Sequence, residues 1–104
     1  MAAKLKLVAD PTFKASVDIP VPGGSSVPVV FEFKHRTREA LADFLKTVDT
    51  LTHDAAVMAV ASGWDLDEPF NEKNVAALVQ NYLGASNAIC NAYLRELTQA
   101  KLGN

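Results

Sequence analysis

One cysteine, two histidines and one tryptophan in 104 residues leave little material for bond-making chemistry. A lone cysteine cannot close an internal disulfide or build a zinc–thiolate cluster, which excludes a stapled secreted scaffold and a zinc ribbon. Long apolar runs are missing at the start of the chain. The opening MAAKLKLVADP holds only two or three consecutive apolar residues before Asp10 and Pro11. That excludes a signal peptide or a membrane span there, and the expectation is a cytoplasmic chain. A large excess of one charge is absent too. The net charge is -2 and 49% of residues are hydrophobic, which suits one folded domain around one core and excludes a disordered chain.

The charges that are present lie unevenly. Lys4, Lys6, Lys14, Lys34, Arg36 and Arg38 outnumber the acids up to Arg38, whereas acids dominate from Glu39 onward. Such asymmetry can mark an interaction face or a basic arm for nucleic acid. The basic residues, however, alternate with apolar ones and show no aromatic interleaving. A solvated face, with no nucleic-acid partner and no membrane partner, is the reading they support.

Alternation defines the first third of the chain. Phe13, Ala15, Val17, Ile19 and Val21 share one side, with Lys14, Ser16 and Asp18 opposite. Val27, Val29, Phe31 and Phe33 repeat the pattern against Glu32 and Lys34. A period of two over this length predicts half-buried strands. Taking Pro22 to Ser26 as the loop predicts an antiparallel hairpin over about 13–35, pairing Val21 with Val27, Ile19 with Val29 and Val17 with Phe31. Pro20 and Pro28 remove ladder donors, which favours exposed edges over a central place in a large sheet. Leu5 and Leu7 offer the start of a third strand.

After Arg38 the period becomes helical. Thr37 can cap a first helix over about 38–50, whose stripe is Leu41, Phe44, Leu45 and Val48. The second, over about 54–62, is apolar nearly all round and is expected at the centre, with Gly63 as its terminator. The acidic segment Trp64 to Phe70 reads as a loop whose Trp64, Leu66 and Phe70 point inward. Asn71 is an N-cap with Phe70 and Val75 at the spacing of a hydrophobic staple, opening a third helix over about 72–83 that Gly84 ends. A fourth runs over about 86–102. The expected class is therefore α+β: one domain over 1–104, an N-terminal antiparallel β-hairpin followed by a compact bundle of about four helices.

Candidate chemistry is sparse. His35 and His53 would need a nucleophile or convergent carboxylates to act as base or ligand. Cys90 lies in a core stripe, where a small buried hydrophobe is its usual role. Asp65, Asp67, Glu68 and Asn71 have the oxygen-rich look of a calcium loop, yet the sixth and twelfth positions hold Phe70 and Ala76 where glycine and glutamate are required. Gly23-Gly24 lacks the following helix and lysine of a phosphate cradle. No catalytic residue, no metal site and no cofactor is expected, and a chain of this kind more often works by binding another polypeptide.

At FEFKHRTREALADFL, SGWDLDEPFNEKNVAALVQNY and AICNAYLRELTQAKLGN, the chain resembles the tail assembly chaperones of long-tailed bacteriophages. The resemblance extends from KLKLVADPTF to LTQAK. Its distinctive parts are the FKHRT junction, GWDLDEPFN and the helix break at Asn81 to Ala85. The resemblance implies a non-enzymatic protein of the host bacterial cytoplasm, absent from the mature virion. It implies binding to the tape measure protein, which such chaperones keep soluble while tail tube protein polymerises around it. It also implies a longer form made by programmed frameshifting. Leu102-Gly103-Asn104 can be encoded by a G-GGA-AAY slippery heptamer. Helix-in-groove capture by Leu41, Phe44, Leu45, Leu78 and Tyr82 is one reading of the apolar stripes, and closure of the protein's own core by those residues is the other. A small structural virion component and a DNA-binding regulator are the competing functions, and homo-oligomer formation stays open.

Overall fold

The computed structural model describes residues 5–98. Two long strands, Thr12–Val21 (β1) and Ser25–Lys34 (β2), form the hairpin. Val17, Ile19, Val29, Phe31 and Phe33 are buried on one face, while Lys14, Ser16, Asp18 and Lys34 lie exposed on the other. The register differs from the expected one by two residues. Val21 faces Ser25, Ile19 faces Val27 and Val17 faces Val29. The cause is a shorter loop, Pro22 to Gly24, in which Gly23 and Gly24 have φ of 106° and 95° and the Gly24 N–H donates to the Val21 carbonyl at 3.3 Å. Two residues in the left-handed region turn the chain tightly enough for Ser25 to enter the ladder. A shift of two keeps every side chain on its face, so the alternation alone could not reveal it.

A third strand, Ala61–Trp64 (β3), pairs antiparallel with β2, giving the order β1-β2-β3. It replaces the expected end of the second helix. That helix, His53–Val60 (α2), stops at Val60, and Ala61 at once adopts extended backbone with φ -122° and ψ 153°. Gly63 therefore terminates nothing and pairs with Glu32. Because Phe33 pairs with Ala61 while Glu32 pairs with Gly63, the strand bulges at Ser62. β2 is the central strand, and Pro28 is tolerated because β3 reaches only as far as Phe31. Leu5 and Leu7 form no strand; both are almost fully exposed.

Between hairpin and α2 lie Arg38–Thr47 (α1) and a 3-10 turn, Val48–Thr50. Thr37 and Thr52 cap α1 and α2 by accepting from the Ala40 and Ala55 N–H groups. Glu72–Asn81 (α3) starts at Asn71, whose side chain accepts from the Asn74 N–H, and buried Val75 with half-buried Phe70 completes the staple. Ala85–Thr98 (α4) is the longest described helix; the rest of its expected span lies outside the described residues. α2, α3 and α4 pack on one another, with α4 against β1 and α2 against β2. α1 has no buried residue and sits at the periphery.

The core lies between sheet and helices. Phe31, Phe33, Val57, Val60, Val75, Ile89 and Tyr93 are fully enclosed. Phe33 is the aromatic hub: its ring centroid is 5.4 Å from Tyr93, 5.7 Å from Phe13 and 5.9 Å from Phe31. Such contacts add roughly 0.5–1.5 kcal/mol each beyond the area they bury. α1 is tied to this cluster by Arg36. Its guanidinium lies 4.2 Å from the Phe44 ring centroid and donates to the buried Tyr93 hydroxyl at 3.0 Å. No helix among the described residues is long and apolar enough to cross a membrane.

Candidate functional site

Two grooves with no lining residue in common open on the surface. The first, of about 380 Å³, runs between the turn end of the hairpin and α3. Ile19, Val21, Val27 and Val29 form one wall, Ala77, Leu78 and Tyr82 the other, and Trp64 with Leu66 closes one end. Val27 is 51% exposed and Leu66 37%, so this wall offers apolar carbon to whatever enters. Leu66 is thus a groove residue and not the inward anchor expected of it. Trp64 and Phe70 do turn in, edge to face at 5.0 Å, and the Trp64 indole N–H donates to the Glu68 carbonyl at 2.7 Å. The acidic loop is fixed to the sheet at Asp65. Its N–H donates to the Val30 carbonyl, and its carboxylate accepts from the Val30 N–H, both at 3.0 Å. These bonds extend the β2–β3 edge by one pair and hold Asp65, Asp67 and Glu68 beside the groove.

The second groove, of about 310 Å³, lies between the α1 and 3-10 segment and α4, with α2 as its floor. Phe44, Leu45, Val48 and Leu51 line one side, Cys90 and Leu94 the other. Leu45 is 45% exposed. At one end His53 Nδ1 and the Ser86 hydroxyl meet at 2.7 Å. Ser86 is 5% exposed, and the pair ties the first turn of α2 to the first turn of α4.

The five residues singled out from the sequence therefore do not form one surface. Leu78 and Tyr82 line the first groove and Phe44 and Leu45 the second, while half-buried Leu41 packs against the core and lines neither. Sequence reasoning missed the hairpin wall and the Trp64–Leu66 end. The available signal was the apolar alternation carried right up to the turn at Val27, further than a short sheet needs for its own core. His35 is exposed, and its backbone N–H donates to the Pro11 carbonyl.

The electrostatics are mild. Burial pushes the Cys90 thiol above its ordinary value, which disfavours the nucleophilic thiolate. The Thr52 hydroxyl beside Asp54 holds that carboxyl below its ordinary value, opposed by a little desolvation and helped by backbone N–H groups at the start of α2. Among the described residues no group of three or more His, Cys, Asp and Glu side chains is gathered to hold a metal ion. What the arrangement offers is apolar concavity with a polar rim, suited to side chains of another polypeptide.

Comparison with known proteins agrees with that chemistry. A family model described as phage tail assembly chaperone matches residues 1–104, the whole length of the chain. No curated protein and no solved structure matches it. The chain belongs to the phage tail assembly chaperone family, and its role is in tail assembly.

Proposed function

We propose that this chaperone covers the apolar helical stripes of the tape measure protein, keeps that protein soluble and hands it to tail tube subunits. The two grooves are its client stations. An unassembled helical protein with long apolar stripes aggregates unless the stripes are masked. A groove between a sheet edge and a helix, or between two helices, accepts side chains spaced i, i+3 and i+4 along one client helix. Release is as important as capture, and shallow grooves with polar rims exchange their contents more readily than a closed core does. The observation that carries this reading is the family match together with large apolar side chains left open around both grooves, Val27 and Leu66 at one and Leu45 at the other.

The chaperone acts in the host bacterial cytoplasm and leaves before the virion is complete. Tail tube protein is engaged through a longer, frameshifted form, for which the test is a G-GGA-AAY heptamer in the codons of Leu102 to Asn104. Co-expression with the tape measure protein tests the main reading. Wild-type chaperone raises the soluble fraction of the tape measure, and the Leu45→Asp/Leu66→Asp variant, folded by circular dichroism, returns it to the level without chaperone. Equal rescue by wild type and variant removes the grooves from the mechanism. Mass spectrometry of purified particles is expected to find no chaperone.

A further inference from the structure

The second groove has one wall unlike the others. Its floor and far side belong to α2 and α4, which pack on each other and carry the fully enclosed Val57, Val60, Ile89 and Tyr93. Its near side is residues 37–51, α1 with the 3-10 turn, and there no residue is buried. Among the described residues, every hydrogen bond and ion pair made by 37–51 closes inside that segment. The Leu41 N–H donates to the Thr37 carbonyl and the Leu51 N–H to the Val48 carbonyl. The Thr47 hydroxyl donates to the Phe44 carbonyl, the Thr50 hydroxyl to the Thr47 carbonyl, and Lys46 pairs with Asp43 at 3.7 Å. What holds the segment to the rest is apolar contact and Arg36. Leu41 and Phe44 pack against the core, Phe44 edge-on to Tyr93 at 6.5 Å between centroids, with the Arg36 guanidinium 4.2 Å from the Phe44 ring centroid.

Both ends of the segment are pinned just outside it. The His35 N–H donates to the Pro11 carbonyl at 2.9 Å, and His53 Nδ1 meets the Ser86 hydroxyl at 2.7 Å. Between the pins and the helical turns lie Thr37 at one end and Leu51 and Thr52 at the other. All three have extended backbone, with ψ of 167°, 147° and 165°. Rotation at a few such residues swings a whole element while its internal bonds stay intact. A unit of this kind opens at a smaller cost than the whole domain unfolds.

Opening answers a shortage of room. One large apolar side chain occupies roughly 150 Å³, so three anchors at i, i+3 and i+4 need about 450 Å³. The groove offers about 310 Å³. α2 and α4 cannot retreat without breaking the core, whereas 37–51 can. We propose that residues 37–51 form a hinged lid over the second groove, latched by Arg36. The lid opens as one body to admit an amphipathic helix between α1 and α4, then closes with Leu45 and Val48 against it. The opening rests on this chain alone. That the helix belongs to the tape measure protein rests on the function proposed above.

Native-state hydrogen exchange of the full chain across a urea series tests the lid without a client. The second readout is reaction of Cys90, the only cysteine and a residue of the opposite wall, with a small aromatic disulfide. Backbone N–H groups of α1 are expected to exchange at least about a hundredfold faster than those in the middle of α4, with little urea dependence, because local opening exposes less surface than unfolding. Arg36→Ala frees the latch and raises α1 exchange and Cys90 labelling by the same factor, about tenfold. Phe44→Leu, which spares the Arg36–Tyr93 bond, raises both by about threefold. Exchange of α1 at the urea-dependent rate of α4 overturns the proposal. So does α1 exchange that rises while Cys90 labelling stays constant, since the helix then frays in place. For admission, a helical segment of the tape measure protein is mixed with the Leu66→Asp chain, in which the second groove is the station left. Adding Arg36→Ala is expected to speed association by the factor seen in exchange, and an unchanged association rate overturns the lid as an entrance. Absence of capture by every variant removes the client reading and not the lid, so the two failures are told apart.

Discussion

Arg36 shows how one side chain can hold a peripheral helix. α1 buries none of its residues completely, yet it is anchored because the Arg36 guanidinium sits over Phe44 and donates to Tyr93. Tyr93 is fully enclosed, and its hydroxyl depends on this bond. Arg36→Ala is expected to destabilise the fold by about 1–3 kcal/mol in urea titrations, the range for a buried polar group losing its partner. Tyr93→Phe removes the stranded hydroxyl, so in the double variant part of the Arg36→Ala cost disappears. A double-mutant cycle with no coupling would show that the bond does not hold α1. Asp54 gives a prediction that depends on pH. Its carboxyl titrates below the ordinary carboxylate value in the folded state, so its stabilising contribution is complete above the unfolded pKa of about 3.9. That contribution fades as pH falls through the lower folded value. Asp54→Asn is therefore less stable than wild type at neutral pH, and the gap closes on acidification. Urea midpoints measured from neutral to acid pH check it, and a gap independent of pH would assign the cost to something other than the carboxylate charge.

Among the elements, the α3–α4 turn and the hairpin tip are built against each other. A Cβ on Gly84 would lie 3.1 Å from the Pro20 Cγ and 3.4 Å from its Cβ. Gly84→Ala therefore makes the Pro20 ring or the turn give by a few tenths of an ångström and should cost about 1–3 kcal/mol, as overpacking does. In a domain of this size each kcal/mol lowers the melting temperature by about 4–8 °C. Pro20→Ala removes the obstructing ring and should restore much of the loss, and thermal melts of the two single variants and the pair will show it. The same contact explains what could be read beforehand and what could not. Gly84 was legible as a helix terminator from its composition, but its actual role depends on Pro20, a partner sixty-four residues away. The hairpin faces followed from alternation, whereas its register turned on a loop two residues shorter than expected. β3 was hidden because Ala-Ser-Gly-Trp continues an apolar helical run and becomes a strand only through pairing with β2. The caps at Thr37 and Asn71 were legible because they are local contacts. The grooves were not, since a stripe that lines a groove and a stripe that closes a core have the same spacing.

At the scale of the whole molecule, the two grooves share no lining residue. The fully enclosed Val57, Ile89 and Phe33 line neither groove and belong to a close-packed core that does not deform continuously. Filling one groove then leaves the shape of the other unchanged, and substitutions at separate, unconnected sites add. The alternative is one client helix that spans both grooves. In that case either groove raises the effective concentration of client at the other, and losing one costs far more than its own contacts, by factors of about 10²–10⁴. The separation favours independence. On the function proposed above, titrating the full chain calorimetrically with a helical segment of the tape measure protein should therefore give two binding events per chain. Leu45→Asp should abolish one and leave the affinity of the other unchanged, and Leu66→Asp should do the reverse. If either substitution weakens all binding together, the client bridges the grooves and one chaperone grips one helix at two points. Under the proposed function, independent stations instead let a single chaperone join two apolar stripes of its client.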